Sequence, residues 1–261
     1  MTPIELSIKR KIESVGIPLK DWNIQINYGI KTGFNDAFII SSEKRNEILS
    51  NCATEEERSK TDEIIRPILR GRDIKRYGYN WADLWLINTH NGVKGRIPRI
   101  KIEDYPAIKA HLDKFWGKIK DRADQGDTPY NLRNCAYLEE FLKPKIVYRE
   151  IGFEMDACMV PEGWFVNNKL YLVTGDRIEY LLAFLNSKAF NKIILASANL
   201  TGGKGVDFME KVRVPLEQSL INEILSTQEE NKIDEIFNSF FGLSEEEKEF
   251  LLLDSKVGET Y

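Results

Sequence analysis

The sequence is poor in the residues that most often carry chemistry. Three cysteines (Cys52, Cys135, Cys158) and two histidines (His90, His111) are scattered over 261 residues. Such an odd, unspaced set excludes a disulfide framework and the usual four-ligand zinc spacings, and it fits free thiols in a reducing cytoplasm. No apolar run approaches the ~20 residues of a membrane helix. The start, Met1-Thr2-Pro3-Ile4-Glu5, lacks the basic-then-apolar layout of a signal peptide. No G-x-x-x-x-G-K-S/T loop is present to cradle a triphosphate. The nearest approach, Gly202-Gly203-Lys204-Gly205, has Gly205 where a hydroxyl would have to meet magnesium. No G-x-G-x-x-G opens a helix after a strand, which removes the dinucleotide fingerprint. Neither histidine adjoins a Ser or Cys, so a hydrolytic triad has no support in the sequence. No catalytic residue and no metal ligand is expected.

What is present is charge, unevenly spread. The net charge of −4, from 37 basic and 41 acidic residues, speaks against a nucleic-acid partner when taken alone. Residues 216–261, however, hold 3 basic and 12 acidic residues, which leaves residues 1–215 with 34 basic and 29 acidic. Within that body, residues 64–101 carry 9 basic residues against Asp73 and Asp83 alone. A basic body with an acidic tail is a different electrostatic object from a mildly acidic protein.

Hydrophobic spacing predicts an α+β body. A helix is expected over 4–15 (Ile4, Ile8, Ile12, Val15), stopped by Gly16 and Pro18, and a strand over 22–27. The Gly29–Gly33 loop follows, then a strand at 37–40 and a polar surface helix at 43–62. The clearest helix is 105–124, with Ile108, Leu112, Phe115 and Ile119 on one face. Strands are expected at 145–151, 156–160 and 164–173, the last interrupted at Asn167-Asn168. A hydrophobic helix at 177–196 and a helical acidic tail at 217–253 complete the chain. The expected architecture is a bent, mostly antiparallel sheet with packed helices and a C-terminal acidic helical annex. Its divisions are a helical linker (1–20), a central body (21–215) and the tail (216–261). The glutamate runs 55–57 and 245–247 read as solvated helix starts, the second forming a capping box with Ser244.

The segment Ile64-Ile65-Arg66-Pro67-Ile68-Leu69-Arg70-Gly71-Arg72-Asp73-Ile74-Lys75-Arg76-Tyr77 places five cations within eleven positions. Arginine suits bidentate contact with phosphate or guanine; a solvated basic turn explains the pattern equally well. At this point the sequence resembles a known family. Asn27-Tyr28-Gly29-Ile30-Lys31-Thr32-Gly33-Phe34-Asn35 and the Arg66–Ile74 stretch are similar to the TaqI-like C-terminal specificity domain. So, in the same order, are Tyr105-Pro106, Phe141-Leu142-Lys143-Pro144-Lys145-Ile146-Val147-Tyr148, Leu185-Asn186-Ser187 and Val214-Pro215-Leu216. The likeness runs from about residue 20 to 253. It implies the target-recognition part of an adenine-N6 DNA methyltransferase or a fused type IIG restriction–modification enzyme. The expected partners are double-stranded DNA and a methyltransferase domain or subunit, with no membrane. The family's catalytic half carries an N/D-P-P-Y/F motif and a glycine-rich turn for S-adenosylmethionine. No proline here precedes another, so that cofactor is expected in a methyltransferase half and no methyl transfer is expected from this chain alone.

Three loops are the candidate DNA contacts that the resemblance implies. In the first, Lys31 and Thr32 meet phosphate, and Asn35 either pairs with an adenine edge or caps the turn. The second supplies Arg66, Arg70, Arg72, Lys75 and Arg76. The third, His90–Lys101, supplies Lys94, Arg96, Arg99 and Lys101 around Gly92 and Gly95. Lys145 and Arg149, which share one face of a strand, and Lys204 are further candidates. Two rival readings stay open. One is a protein-interaction module of a restriction–modification complex without DNA binding of its own. The other is a nuclease built on Glu150 and Asp156 near Lys145.

Overall fold

The computed structural model describes residues 1–199 and 204–253. Thr2 and Glu5 form a capping box at the start of α1 (Pro3–Val15), whose proline sits where its missing N–H has no intrahelical partner. Ile8 and Ile12 are fully buried, whereas Val15, expected on the same stripe, lies at the exposed last turn. The short β1 (Ile17–Pro18) leads to β2 (Ile24–Tyr28). After the glycine turn the chain makes one helical turn, α2 (Asn35–Phe38), before β3 (Ile39–Ser41). The strand expected at 37–40 therefore starts later, with the fully buried Ala37 and Phe38 held in that helical turn.

The helix expected over 43–62 is two, α3 (Ser42–Ser50) and α4 (Glu55–Ile64). Ser41 caps the start of α3 by accepting from Lys44 N (3.2 Å), and Thr54 breaks the run by accepting from Glu57 N (3.0 Å) to start α4. Then come β4 (Ile65–Leu69), β5 (Ile74–Lys75), β6 (Gly78–Tyr79) and β7 (Leu84–Ile87). The 105–124 helix is likewise divided, into α5 (Pro106–Asp113) and the single turn α6 (Trp116–Ile119), which contains a helix-weakening glycine, Gly117. Strands β8 (Lys145–Arg149), β9 (Cys158–Val160), β10 (Phe165–Val166) and β11 (Leu170–Gly175) follow. Next are α7 (Ile178–Leu185), a π-helical segment Phe190–Leu195, α8 (Ala196–Asn199), α9 (Val206–Met209) and β12 (Arg213–Val214). The tail folds as α10 (Gln218–Leu225), α11 (Glu230–Phe240) and α12 (Glu245–Leu252).

The architecture is α+β, as expected, with two four-stranded sheets in the orders β2-β11-β8-β9 and β10-β4-β7-β3. All their pairings are antiparallel except β10 with β4. The first sheet is a wall between two cores. Ile146, Tyr148 and Val173 join the core built with α1, α7 and the tail helices, while Val147, Leu170 and Leu172 join the core around β4, β7 and α5. That alternation is the period-2 pleat expressed as packing. The expected divisions near residues 20 and 215 coincide with no break in packing, since Ile8, Ile12, Ile224, Phe237 and Leu251 share the first core.

The glutamate runs are not simply solvated. The third glutamate of each turns inward, Glu57 9% and Glu247 5% exposed. Glu57 accepts from Ala107 N (3.0 Å) at the start of α5 and from Ala53 N (2.8 Å). Glu247 completes the expected capping box with Ser244 and also accepts from Ser7 Oγ (2.7 Å) and Lys11 Nζ (2.6 Å) of α1. Burial pushes the Glu247 carboxyl up, but the hydrogen bonds from Lys11, Ser7 and Ser244 and the charge of Lys11 outweigh it and hold the pKa at about 2. A lowered folded-state pKa gives stability that is present above the ordinary value of 4.5 and lost as pH falls toward about 2. Urea titrations of Glu247→Gln should show lower stability at neutral pH and a flatter loss across that window; a pH profile parallel to that of the native chain would contradict the clamp.

Candidate nucleic-acid interface

Two of the loops singled out by their sequence are brought together by one backbone crossing. The chain leaves β10 in one sheet and enters β11 in the other through Asn167-Asn168-Lys169. Asn167 N donates to Leu69 O (2.9 Å), and Ile30 N donates to Val166 O (2.7 Å). A Cβ on Gly29 would lie 2.0 Å from Asn167 O, so only glycine permits this approach. Gly71 sits on the other flank, 3.6 Å from Lys169 Cβ when given a Cβ of its own. The 29–35 turn, the 70–72 turn and Lys169 therefore share one region.

Arg122 ties a further segment to this region. Its side chain is 6% exposed and spans four backbone carbonyls. Nε donates to Thr32 O (2.9 Å), Nη1 to Ile119 O (3.2 Å) and Pro129 O, and Nη2 to Asn131 O (2.5 Å). Its guanidinium lies over Phe38, 4.6 Å from the ring centroid. Burial lowers its pKa to about 10, opposed by the charge of Asp124, so the group stays charged at neutral pH. Asp124 itself holds Lys31 (3.0 Å) and Arg133 (3.2 Å), and Arg133 reaches Tyr28 Oη (3.5 Å). Next to Arg133, Asn134 accepts from Asn91 Nδ2 (2.5 Å), and Asn91 also donates to Asp127 (3.0 Å). These contacts carry the surface on to the 90–101 loop, which lines a cleft of about 610 Å³ with Lys94, Arg96, Arg99, Asp127 and Asn134.

The candidate residues fall into three groups. Arg72, Lys75, Lys94 and Lys101 are exposed, and none has an ion-pair partner among the described residues. Lys31, Arg96 and Arg99 are exposed but paired, with Asp124, Glu139 (3.0 Å) and Asp127 (3.4 Å). Such exposed pairs are worth ~0–1 kcal/mol and open readily for a phosphate. Asn35 is exposed, with Oδ1 accepting from Thr32 Oγ1 (2.6 Å), the turn-capping alternative.

The third group corrects the expectation from sequence. Thr32 is 2% exposed and serves the turn and Arg122. Lys145 is fully buried, donating to Pro161 O (2.9 Å) and Trp164 O (3.2 Å), and burial lowers its pKa to about 7. Lys204 is 2% exposed, donates to Glu154 O (2.7 Å), and is lowered to about 8 by burial and then by the charge of Arg149. Buried cations that satisfy carbonyls are structural ties, not phosphate contacts. Arg66 donates to Gly163 O (3.1 Å), Arg70 makes a fork onto Asp73 (3.1 and 2.9 Å), Arg76 pairs with Glu230 of the tail (3.1 Å), and Arg149 pairs with Asp156. The five-cation run is thus dispersed, and only its 70–72 turn reaches the crossing. The nuclease trio does not assemble: Lys145 serves carbonyls, Glu150 pairs with Lys169 and Asp156 with Arg149. His111 is buried, its Nε2 2.9 Å from Ala37 O. Gly202 and Gly203 lie outside the described residues. Among the described residues no group of three His, Cys, Asp or Glu could hold a metal ion, and no helix is long and apolar enough to cross a membrane. All three cysteines are free.

Residues 66–206, more than half of the chain, match the family described as the TaqI-like C-terminal specificity domain. The chain belongs to this family. It is 25% identical over 204 residues to the type II methyltransferase M.MjaIV of Methanocaldococcus jannaschii, an alignment covering 72% of this chain and 62% of that protein. The type IIL restriction–modification enzyme MmeI, solved in complex with DNA, shares the fold with a TM-score of 0.56 at 14% identity, over 90% of this chain and 35% of MmeI. The type IIG restriction endonuclease BpuSI does so with a TM-score of 0.56 at 15% identity, over 95% of this chain and 31% of BpuSI. The specificity domain thus spans under two thirds of the curated relative and about a third of each solved structure.

Two surface cations of this specificity domain carry no signal in the sequence pattern. Lys169 and Arg133 each stand alone among non-basic neighbours, so no local cluster announces them; the interruption at Asn167-Asn168 is the available sign. Arg122 reads in sequence as no more than the end of a helix. Arg122→Ala should destabilise the chain by about 3–5 kcal/mol in urea, because four carbonyls lose a charged donor at once. Arg122→Lys should recover only a fraction, since one ammonium cannot span that fan. A loss below about 0.5 kcal/mol, the range of ordinary surface substitutions, would show that Arg122 does not hold the interface together.

Proposed function

We propose that this specificity domain is the DNA target-recognition part of an adenine-N6 DNA methyltransferase in a cytoplasmic restriction–modification system. The observation that carries the reading is the joining of the 29–35, 70–72 and 90–101 loops around the 167–169 crossing, with exposed cations on each. Phosphate neutralisation by Lys/Arg supplies most protein–DNA affinity, while base contacts supply sequence choice. On this reading Arg72, Lys94 and Lys101 meet phosphates directly. Lys31, Arg96, Arg99 and Lys169 exchange their surface carboxylates for phosphate, and Asn35 is the candidate for a base edge. The acidic tail disfavours a polyanion on its own surface, which orients the duplex.

The partner on this reading is a methyltransferase domain or subunit that binds S-adenosylmethionine and takes the flipped adenine. The glycine turn after β2 does not fit that cofactor, because Gly29 is closed against the Asn167 carbonyl. No step of methyl transfer is therefore assigned to residues of this chain.

Binding of the native chain to short duplexes should weaken steeply with salt, by ~10³ between 50 and 200 mM for about six phosphate contacts. The triple variant Arg72→Ala/Lys94→Ala/Lys101→Ala should bind more weakly, with the log–log salt slope shallower by ~0.9 for each phosphate that is no longer neutralised. Anisotropy titrations check both. A native slope near zero, or a variant slope equal to the native one, would contradict the assignment.

A further inference from the structure

The loop between β8 and β9 presents two large apolar side chains to solvent, Ile151 at 78% and Phe153 at 93% exposed, on either side of Gly152. A floppy loop would leave such residues without meaning, but this one is tied at both feet. Glu150 N donates to Lys169 O (3.0 Å), Lys204 Nζ donates to Glu154 O (2.7 Å), and Met155 N donates to Asn191 Oδ1 (2.7 Å) above a fully buried Met155 side chain. Arg149 pairs with Asp156, whose backbone is held at φ +45°. A residue of this type in the left-handed region costs energy that the surrounding contacts must offset. The fold thus commits several contacts to holding an apolar tip that adds nothing to either core.

We propose that this tip is a wedge that enters the base stack of a bound duplex, with Phe153 as its leading side chain. The proposal rests on the DNA-binding reading above. Its position supports a nucleic-acid occupant: the same Lys169 that receives the loop's first tie lies against Gly71, next to exposed Arg72, so the tip stands at the edge of the cationic surface. Its size argues the same way. Two apolar side chains set among Arg149, Glu150, Glu154, Asp156 and Lys169 are far short of the ~800 Å² per partner of a stable protein interface. They are the size of the Phe, Leu or Ile wedges that unstack a single base step and bend the helix. The cost of unstacking falls where pairing is already broken, so a wedge favours a mismatched duplex over a paired one.

The test uses the full chain with two probes, a short mixed-sequence duplex and the same duplex carrying a central mismatch, titrated by anisotropy at a series of salt concentrations and compared at equal salt. The native chain should prefer the mismatched duplex by about tenfold. Phe153→Ser should reduce that preference to within about twofold while leaving the salt slope unchanged, since phosphate contacts set the slope. Phe153→Leu should retain most of it. The near-complete exposure of Phe153 makes the variants fold controls of one another, checked by equal urea midpoints. A native chain that binds both duplexes but shows no more mismatch preference than Phe153→Ser overturns the wedge and leaves the DNA-binding reading standing. A native chain that binds neither duplex overturns both.

Discussion

The tightest approach of a glycine to another stretch of backbone among the described residues is that of Gly29 to Asn167, where no side chain can stand between the two chains. It occurs where the chain passes from one sheet to the other, and it fixes how the sheets meet. The parallel pairing of β10 with β4 brings the 70–72 turn to that point. The antiparallel pairing of β2 with β11 brings the 29–35 turn there from the opposite side. A larger residue at position 29 would pry apart the one place where both sheets and two candidate loops are in register. The surface assigned to DNA is in this sense a by-product of strand geometry, with the loops displayed by the scaffold rather than assembled among themselves.

Electrostatics then sorts the cations that the crossing gathers. Burial penalises a charge, and Arg122, Lys145 and Lys204 each donate to backbone carbonyls where they are sealed from water: four for Arg122, two for Lys145 and the Glu154 carbonyl for Lys204. These groups hold loops in place. Cations at the surface, by contrast, keep their hydration or a weak pair that a phosphate can replace. The division of labour explains why a count of basic residues overstates the number available to a partner. It also explains how Arg76 and Lys11, bound to Glu230 and Glu247, draw the acidic helical annex onto the basic body.

Much of this is legible in the sequence. The α+β class, the interrupted strand at 167–168, the Ser244 capping box and the family itself follow from spacing and motif order. Burial is harder to read. Lys145 lies in a strand between apolar neighbours that face two cores, a situation no single-strand pattern reveals, because the second core also draws in residues as distant in sequence as Ile30, Phe38 and Ile68. Arg70 is the more readable miss, since Asp73 at i+3 offers it a local fork before any duplex arrives. The broken helices at 51–54 and 114–115 show the same limit. Apolar periodicity persists through 114–115, where Gly117 is the available sign, whereas the polar 43–62 run offers no apolar stripe and only the Thr54 cap marks its break.

The central claim is that one continuous surface, organised by the 167–169 crossing and the Arg122 fan, receives the duplex. Hydrogen–deuterium exchange of the chain with and without a short duplex tests it most directly. The account predicts slowed exchange at 29–35, 70–76, 91–101 and 149–154 together, with 218–252 unchanged. Protection confined to the tail helices, or to the 91–101 loop with none at the crossing, would contradict it.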